Sequence, residues 1–153
     1  MGGLALLSGF SQFFPRLRRN KPELHRKLGA LYVTAVLFSG LAALAISYFT
    51  TGGLIPAMGF GTLAILWLFT TYKAYTSIKK KEIDAHQRWM IRSYALCFAA
   101  VTLRIYLPLF LGAIQMEFVS AYTIIAWLCW VPNILFAELV IVRRLPHNKG
   151  IFS

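Results

Sequence analysis

Six residues carry side chains that could do chemistry where most of their neighbours cannot: His25, His86, Arg92, Arg104, Asn133 and Glu138. His25 stands in Leu24-His25-Arg26-Lys27-Leu28-Gly29 and His86 in Ala85-His86-Gln87-Arg88-Trp89-Met90, each at the opening of an apolar stretch. Two imidazoles on facing helices can hold one haem b iron as axial ligands. They can equally contact a quinone headgroup or relay protons, and the plainer reading is a pair of interfacial histidines open to the cytosol. Arg92 and Glu138 each sit about one turn inside an apolar stretch, at matching depth. An ion pair, or two side chains reaching back to the interface, accounts for them.

Arg104 is harder to account for. It lies about 22 Å along its helix from the basic end and about 10 Å from the other. No carboxylate shares that depth, although Glu117 beyond the stretch could reach toward it. Such an arginine is expected to face the bundle interior or a wet cavity and to meet an anionic ligand, a headgroup or a quinone-like carbonyl. The alternatives are an outward-reaching side chain or bonds to carbonyls freed by a proline. Asn133 follows Pro132, whose missing N–H kinks a helix, and either Asn133 or a neighbour could compensate the freed backbone. Tyr122, Ala126, Cys129 and Asn133 fall on one helical face, with Glu138 nearly opposite.

The elements that must position these groups follow from composition. The chain has 153 residues, 58% hydrophobic and 14% charged, with 16 Lys or Arg against five Asp or Glu and a net charge of +11. So small a soluble domain needs more polar cover, and disorder is excluded by the same apolar content. Four stretches, 28–49, 54–72, 89–111 and 118–142, are long enough to cross a hydrocarbon core of about 30 Å. A fifth, 1–14, covers only about 21 Å. The expected fold is an all-α membrane bundle of four full transmembrane helices plus a short or truncated N-terminal helix. It forms one transmembrane domain over 1–142 with a cytoplasmic tail from 143.

Lys and Arg alternate strictly between the connections. Residues 15–27 hold six, 73–88 five and the tail from Arg143 three, whereas 50–53 and 112–117 hold none. That asymmetry places the basic segments in the cytoplasm and Met1 outside. It makes the positive charge an orientation signal, and an anchor for anionic lipid headgroups, rather than a nucleic-acid footprint. A signal peptide carries its charges before its apolar stretch, and here they follow it. Asn20 with Glu23, and Asp84 with Gln87, form N-cap arrangements before the two outward-running helices. His25, Gly29, Tyr32, Val36, Gly40, Ala43 and Ser47 make a small-residue stripe on one of these helices. His86, Ser93, Cys97, Ala100 and Arg104 line up on the other, the type of face used for close packing or for lining a cavity. Tyr32 and Tyr94 follow their histidines at similar spacing, which suggests two related hairpins. Cys97 and Cys129 lie at different depths, so they read as packing residues rather than a disulfide. No soluble-type catalytic motif or metal-spaced cluster is present. The catalytic residues are therefore unassigned, no metal is called for, and an enzyme is not the favoured class.

Several stretches resemble a known group: Gln12-Phe13 through Leu24-His25-Arg26-Lys27-Leu28-Gly29-Ala30-Leu31-Tyr32, Gly59-Phe60 with Trp67, His86 through Arg104, and Ala126-Trp127-Leu128-Cys129-Trp130-Val131-Pro132-Asn133 with Glu138. They are similar to the uncharacterised bacterial "predicted membrane protein" family, domain of unknown function 2306. The resemblance covers nearly the whole chain. It implies a multi-pass protein of the bacterial plasma membrane with no established activity. Family members usually extend upstream of the segment beginning at Met1, so the short first stretch is expected to be the lower part of a longer helix. The four-helix layout with paired histidines also resembles small membrane b-type cytochromes. Three functional readings stand side by side. One is a haem- or quinone-binding redox component using His25 and His86. The second is a small transporter or lipid-binding protein with a cavity around Arg104, Ser93 and Asn133. The third is a structural or assembly subunit, in a homo-oligomer or a larger membrane complex.

Overall fold

With so little polar surface, backbone N–H and C=O groups in a membrane must satisfy one another, and helices do this within each segment. The computed structural model describes residues 2–11, 21–50 and 52–144. In chain order the helices are α1 (Gly2–Ser11), α2 (Pro22–Tyr48), α3 (Leu54–Lys79), α4 (Ile83–Cys97), α5 (Ala99–Pro108), α6 (Phe118–Leu128) and α7 (Val131–Arg144), with a π-helical turn, Leu109–Ala113, after α5. Four units are long and apolar enough to cross a membrane: Pro22–Tyr48, Leu54–Lys79, Ile83–Ala113 and Phe118–Arg143. The protein is thus an all-helical bundle of four candidate spans preceded by a short helix.

Local chemistry sets the ends. Pro22 opens α2, where its missing N–H costs nothing. The expected side-chain caps do not form at α4: its N-cap is Glu82, without a side-chain cap bond, and Asp84 lies one step inside the first turn. There the carboxylate faces the helix dipole rather than capping it. Asn20, the expected cap of α2, lies outside the described residues. The α2–α3 connection turns at Gly52 and Gly53, both at positive φ (99° and 85°), a conformation that glycine adopts without a Cβ penalty. The α3–α4 turn is a Schellman motif. Glu82 N–H donates to Ser77 C=O and Lys81 N–H to Ile78 C=O, with Lys81 itself at φ 63°.

Helix α3 is the hub, packing against α2, α4 and α6, while α7 leans on α4 and α1 lies against both α2 and α4. Close approach needs small residues where helices cross. A Cβ on Gly59 would stand 3.0 Å from the Ala126 carbonyl, so α3 and α6 meet backbone to backbone there. Gly9 of α1 sits against the rings of Tyr32 and Tyr94, and the Tyr94 hydroxyl donates to the Leu6 carbonyl at 3.4 Å. The two tyrosines therefore share a neighbour but do different work.

Three spans are tied at one point. Tyr32 (α2) and Ser93 (α4) have hydroxyl oxygens 2.7 Å apart, Ser93 and Thr71 (α3) 2.6 Å apart, and Thr71 donates to the Trp67 carbonyl at 2.8 Å. Tyr32 and Ser93 are fully buried. A carbonyl only accepts, so Thr71 spends its proton on Trp67 and must accept from Ser93, which in turn accepts from Tyr32. Reversing the chain would leave the Tyr32 proton without an acceptor. The indole N–H of Trp67 makes no hydrogen bond.

The last two spans are each interrupted by proline. Pro108 precedes the π turn. Pro132 follows the break between α6 and α7, where side chains satisfy the loosened carbonyls: Trp130 Nε1–H donates to Ala126 C=O and Asn133 Nδ2–H to Cys129 C=O.

The direction of the hydroxyl chain ranks two substitutions. Tyr32→Phe removes one terminal donor and should cost about 0.6 kcal/mol, the average for a hydrogen bond between membrane helices. Ser93→Ala breaks two bonds and strands the Tyr32 proton in the core, which should raise the loss to roughly 2 kcal/mol. Unfolding in detergent micelles reads both, and equal losses would contradict the direction assigned.

Candidate functional site

The two histidines stand at the end of the bundle where the basic connections lie. His25 is in the first turn of α2 and half-buried; His86 is in the first turn of α4 and also half-buried. The Nδ1 of His86 is 2.8 Å from the Ala74 carbonyl of α3. Because that partner only accepts, Nδ1 carries the proton, and in the neutral ring Nε2 keeps its lone pair. Their relation to each other follows from the hydroxyl chain. His25 precedes Tyr32 by seven residues and His86 precedes Ser93 by seven. Seven residues are two turns on almost the same helical face, and Tyr32 and Ser93 are bonded. Each histidine therefore lies on the side of its helix that carries the bonded residue, about 10 Å from it toward the basic end, and His86 turns to the main chain of α3.

Arg92 and Glu138 form a two-pronged pair across α4 and α7, Arg92 Nε–H donating to Oε1 and Nη2–H to Oε2, the latter at 2.9 Å. The matched planes of guanidinium and carboxylate make this the stronger form of ion pair. Aromatic contacts hold it in place. The Arg92 guanidinium lies 4.8 Å from the Trp89 ring centre, and Trp89 meets the edge of Phe69, whose other neighbour is the Lys73 ammonium. This ladder joins α3, α4 and α7. Trp89 and Phe69 were not among the six singled out, and the signal that would have found them is an aromatic three residues from Arg92, one helical turn away.

Asn133 Nδ2–H also donates to Thr102 Oγ1 at 2.9 Å. Asn133 and Glu138 share the uninterrupted helix α7 about 140° apart, yet both reach the Ile83–Ala113 span, at Thr102 and at Arg92.

Arg104 does not enter the interior. It is exposed, and its Nη1–H donates to the Ala100 carbonyl of its own helix at 2.8 Å. Ser93 and Cys97, on the same line of this span, are buried. Up to Cys97 that line faces α3, with Tyr32 of α2 reaching Ser93; beyond Phe98 the span leans on α6. Glu117 does not reach Arg104 and instead accepts a long 3.5 Å bond from Ser120. Ser93, Arg104 and Asn133 thus line no common cavity: one is sealed in the core, one is outside and one is bonded to Thr102.

Two open clefts lie elsewhere. One of about 600 Å³ is lined by Lys81, Glu82, Ile83, Asp84, Ala85 and Arg88 at the α3–α4 turn. An apolar one of about 430 Å³ runs along the α6–α7 break, beside Trp127 and Pro132. Neither includes any of the six residues. Among the described residues no three of His, Cys, Asp and Glu converge as a metal site. Cys97 and Cys129 are free and buried.

The model of the family described as predicted membrane protein (DUF2306) matches residues 1–141. The chain belongs to this family. No curated protein matches it, and no solved structure does. This DUF2306 protein is a multi-pass membrane protein whose molecular function the family name leaves open.

The Arg92–Glu138 pair gives a direct test of the α4–α7 contact in this DUF2306 protein. Its side chains are 23% and 43% exposed, so the coupling should be modest, roughly 1 kcal/mol in a double-mutant cycle. Glu138→Leu and Arg92→Leu should each lower stability by more than that, because each leaves a lone charge in a span. The exchange Arg92→Glu with Glu138→Arg should recover part of the loss. No recovery would mean that Trp89 stacking, which the exchange abolishes, carries the contact.

Proposed function

We propose that this protein is a redox component of the membrane that binds haem b between His25 and His86. The observation that carries the reading is the register set by the Tyr32–Ser93 bond, combined with the bond from His86 Nδ1 to Ala74 C=O. Metal-bound imidazoles characteristically donate their other ring N–H to a carbonyl or carboxylate, which fixes tautomer and ring plane. His86 has that arrangement before any ligand is considered. Bound haem would supply one-electron transfer. The chain's own contributions would be the two imidazole nitrogens and the Ala74 carbonyl that orients one of them.

Protein purified in mild detergent from a haem-replete host should show a Soret band, and a sharp visible band on reduction. His86→Ala and His25→Ala should each abolish or shift these bands while leaving helix content unchanged. A colourless wild-type protein, or bands indifferent to both substitutions, would overturn the proposal. So would a tightly held quinone, lost in His86→Ala, in a protein without haem.

The same reading puts the basic end in the cytoplasm of a bacterial plasma membrane, supported by the Lys and Arg asymmetry of the connections. A fluorescent protein fused after Ser153 should then fold and fluoresce, and a periplasm-dependent phosphatase at the same place should be inactive. The opposite pattern would reverse the assignment.

A further inference from the structure

Helix α3 buries Ala64, Trp67, Thr70, Thr71 and Ala74 and turns a different kind of surface outward. Met58, Ile65, Tyr72 and Lys79 follow one another at seven-residue steps, two turns each, so they share one side of the helix. All four are exposed. Tyr75, also exposed, sits one turn before Lys79 at the margin of that side. From the middle of the span toward the basic end, the surface passes from apolar to hydroxyl-bearing aromatic to cationic.

The Lys79 head group is not carried away from the span. Its Nζ lies 5.4 Å from the centre of the Tyr75 ring, the direction in which side chains lean on a helix. A lysine beside hydrocarbon ordinarily carries its ammonium outward to water, and this one is folded back by a turn. The apolar stretch 54–72 ends at Tyr72, and Tyr75 stands about 4.5 Å beyond it along the axis. The headgroup layer adds about 5–7 Å to each side of the hydrocarbon core. The ammonium is therefore at the depth of lipid phosphates. Among the described residues no carboxylate pairs with Lys79.

This order of surfaces matches that of a phospholipid lying along the helix: acyl chain on Met58 and Ile65, ester region on the tyrosines, phosphate at Lys79. Tyrosine suits the middle level, with an apolar ring and a wet hydroxyl. We propose that this side of α3 binds an anionic phospholipid, whose phosphate accepts from the Lys79 ammonium while an acyl chain follows Ile65 and Met58. A zwitterionic lipid fits less well, because its own ammonium competes with Lys79 for the phosphate.

Full-length protein is reconstituted in phosphatidylcholine vesicles that contain a minor share of phosphatidylglycerol. A photoreactive analogue of either lipid, reactive beside its glycerol, is added, and labelled residues are mapped by mass spectrometry. The phosphatidylglycerol analogue should label residues 72–79 about fivefold more than the phosphatidylcholine one, the factor that one lysine at an anionic surface supplies. Lys79→Gln should bring the two lipids to parity there, and Lys79→Arg should keep the preference. Tyr75→Leu should reduce it in part, since the ring that holds the ammonium at this depth is gone. Lys27→Gln, on α2, should leave it intact. Because Lys79 is exposed, Lys79→Gln should unfold at the wild-type temperature. Equal labelling by the two lipids, or a preference that survives Lys79→Gln, would contradict the assignment. So would displacement of the phosphatidylglycerol analogue by inorganic phosphate, which marks a site for a soluble anion, or cross-links between protein chains in place of lipid labels at 72–79. None of these outcomes depends on haem, so they leave the histidine reading to its own test.

Discussion

The register of α2, α3 and α4 depends on the Ser93 hydroxyl. In water, apolar burial would bring the helices together; in lipid that drive is absent, and register falls to packing and to the few polar contacts between spans. Ser93 accepts from Tyr32 and donates to Thr71, so α2, α3 and α4 are fixed to one another at a single level. Thr71 in turn gives its proton to a main-chain carbonyl, which imposes one direction on the chain. The level of the two histidines is set by this point.

Several other polar groups follow a common pattern, in which a side chain in a span is answered by an acceptor one turn away or on the adjoining helix; Ser39 Oγ and Trp67 Nε1 do not. Thr34, Thr70, Thr102 and Thr123 bond carbonyls of their own helices. Asn133 and Trp130 take carbonyls that the Pro132 break loosens. Arg92 and Glu138 answer each other. Against this background Arg104 differs in kind. Its Ala100 bond relieves one N–H and leaves the charge itself unneutralised.

Much of this was legible in the residues. Apolar length located the four spans, and the small-residue stripe containing Tyr32, Val36 and Gly40 is indeed the buried side of α2. What sequence could not supply was the effect of breaks and neighbours. Helical periodicity carried His86, Ser93, Cys97 and Arg104 along one line, but a line on a helix is buried only where a neighbour packs on it, and after Phe98 the span leans on α6 instead of α3. Likewise Asn133 and Glu138 read as opposed on an ideal helix, while side-chain reach brings both to the same span, one at Thr102 and one at Arg92. The capping pattern at Asp84 failed for a simpler reason: after the Schellman turn at Lys81, α4 starts two residues earlier than the motif requires, with Glu82 as its N-cap.

The two ends of the bundle are built differently, and this bears on where ligands and partners would act. At the basic end the Lys73–Phe69–Trp89–Arg92–Glu138 ladder and the His86–Ala74 bond link three spans through oriented contacts. Such a setting holds side chains in fixed orientation, as an axial ligand requires. Toward the other end, α5 carries a proline and a π turn, Gly112 and Ala113 are exposed, and cover is thinnest around Arg104. The two ends thus differ in how many oriented polar contacts link the spans, and Ser93 lies between them.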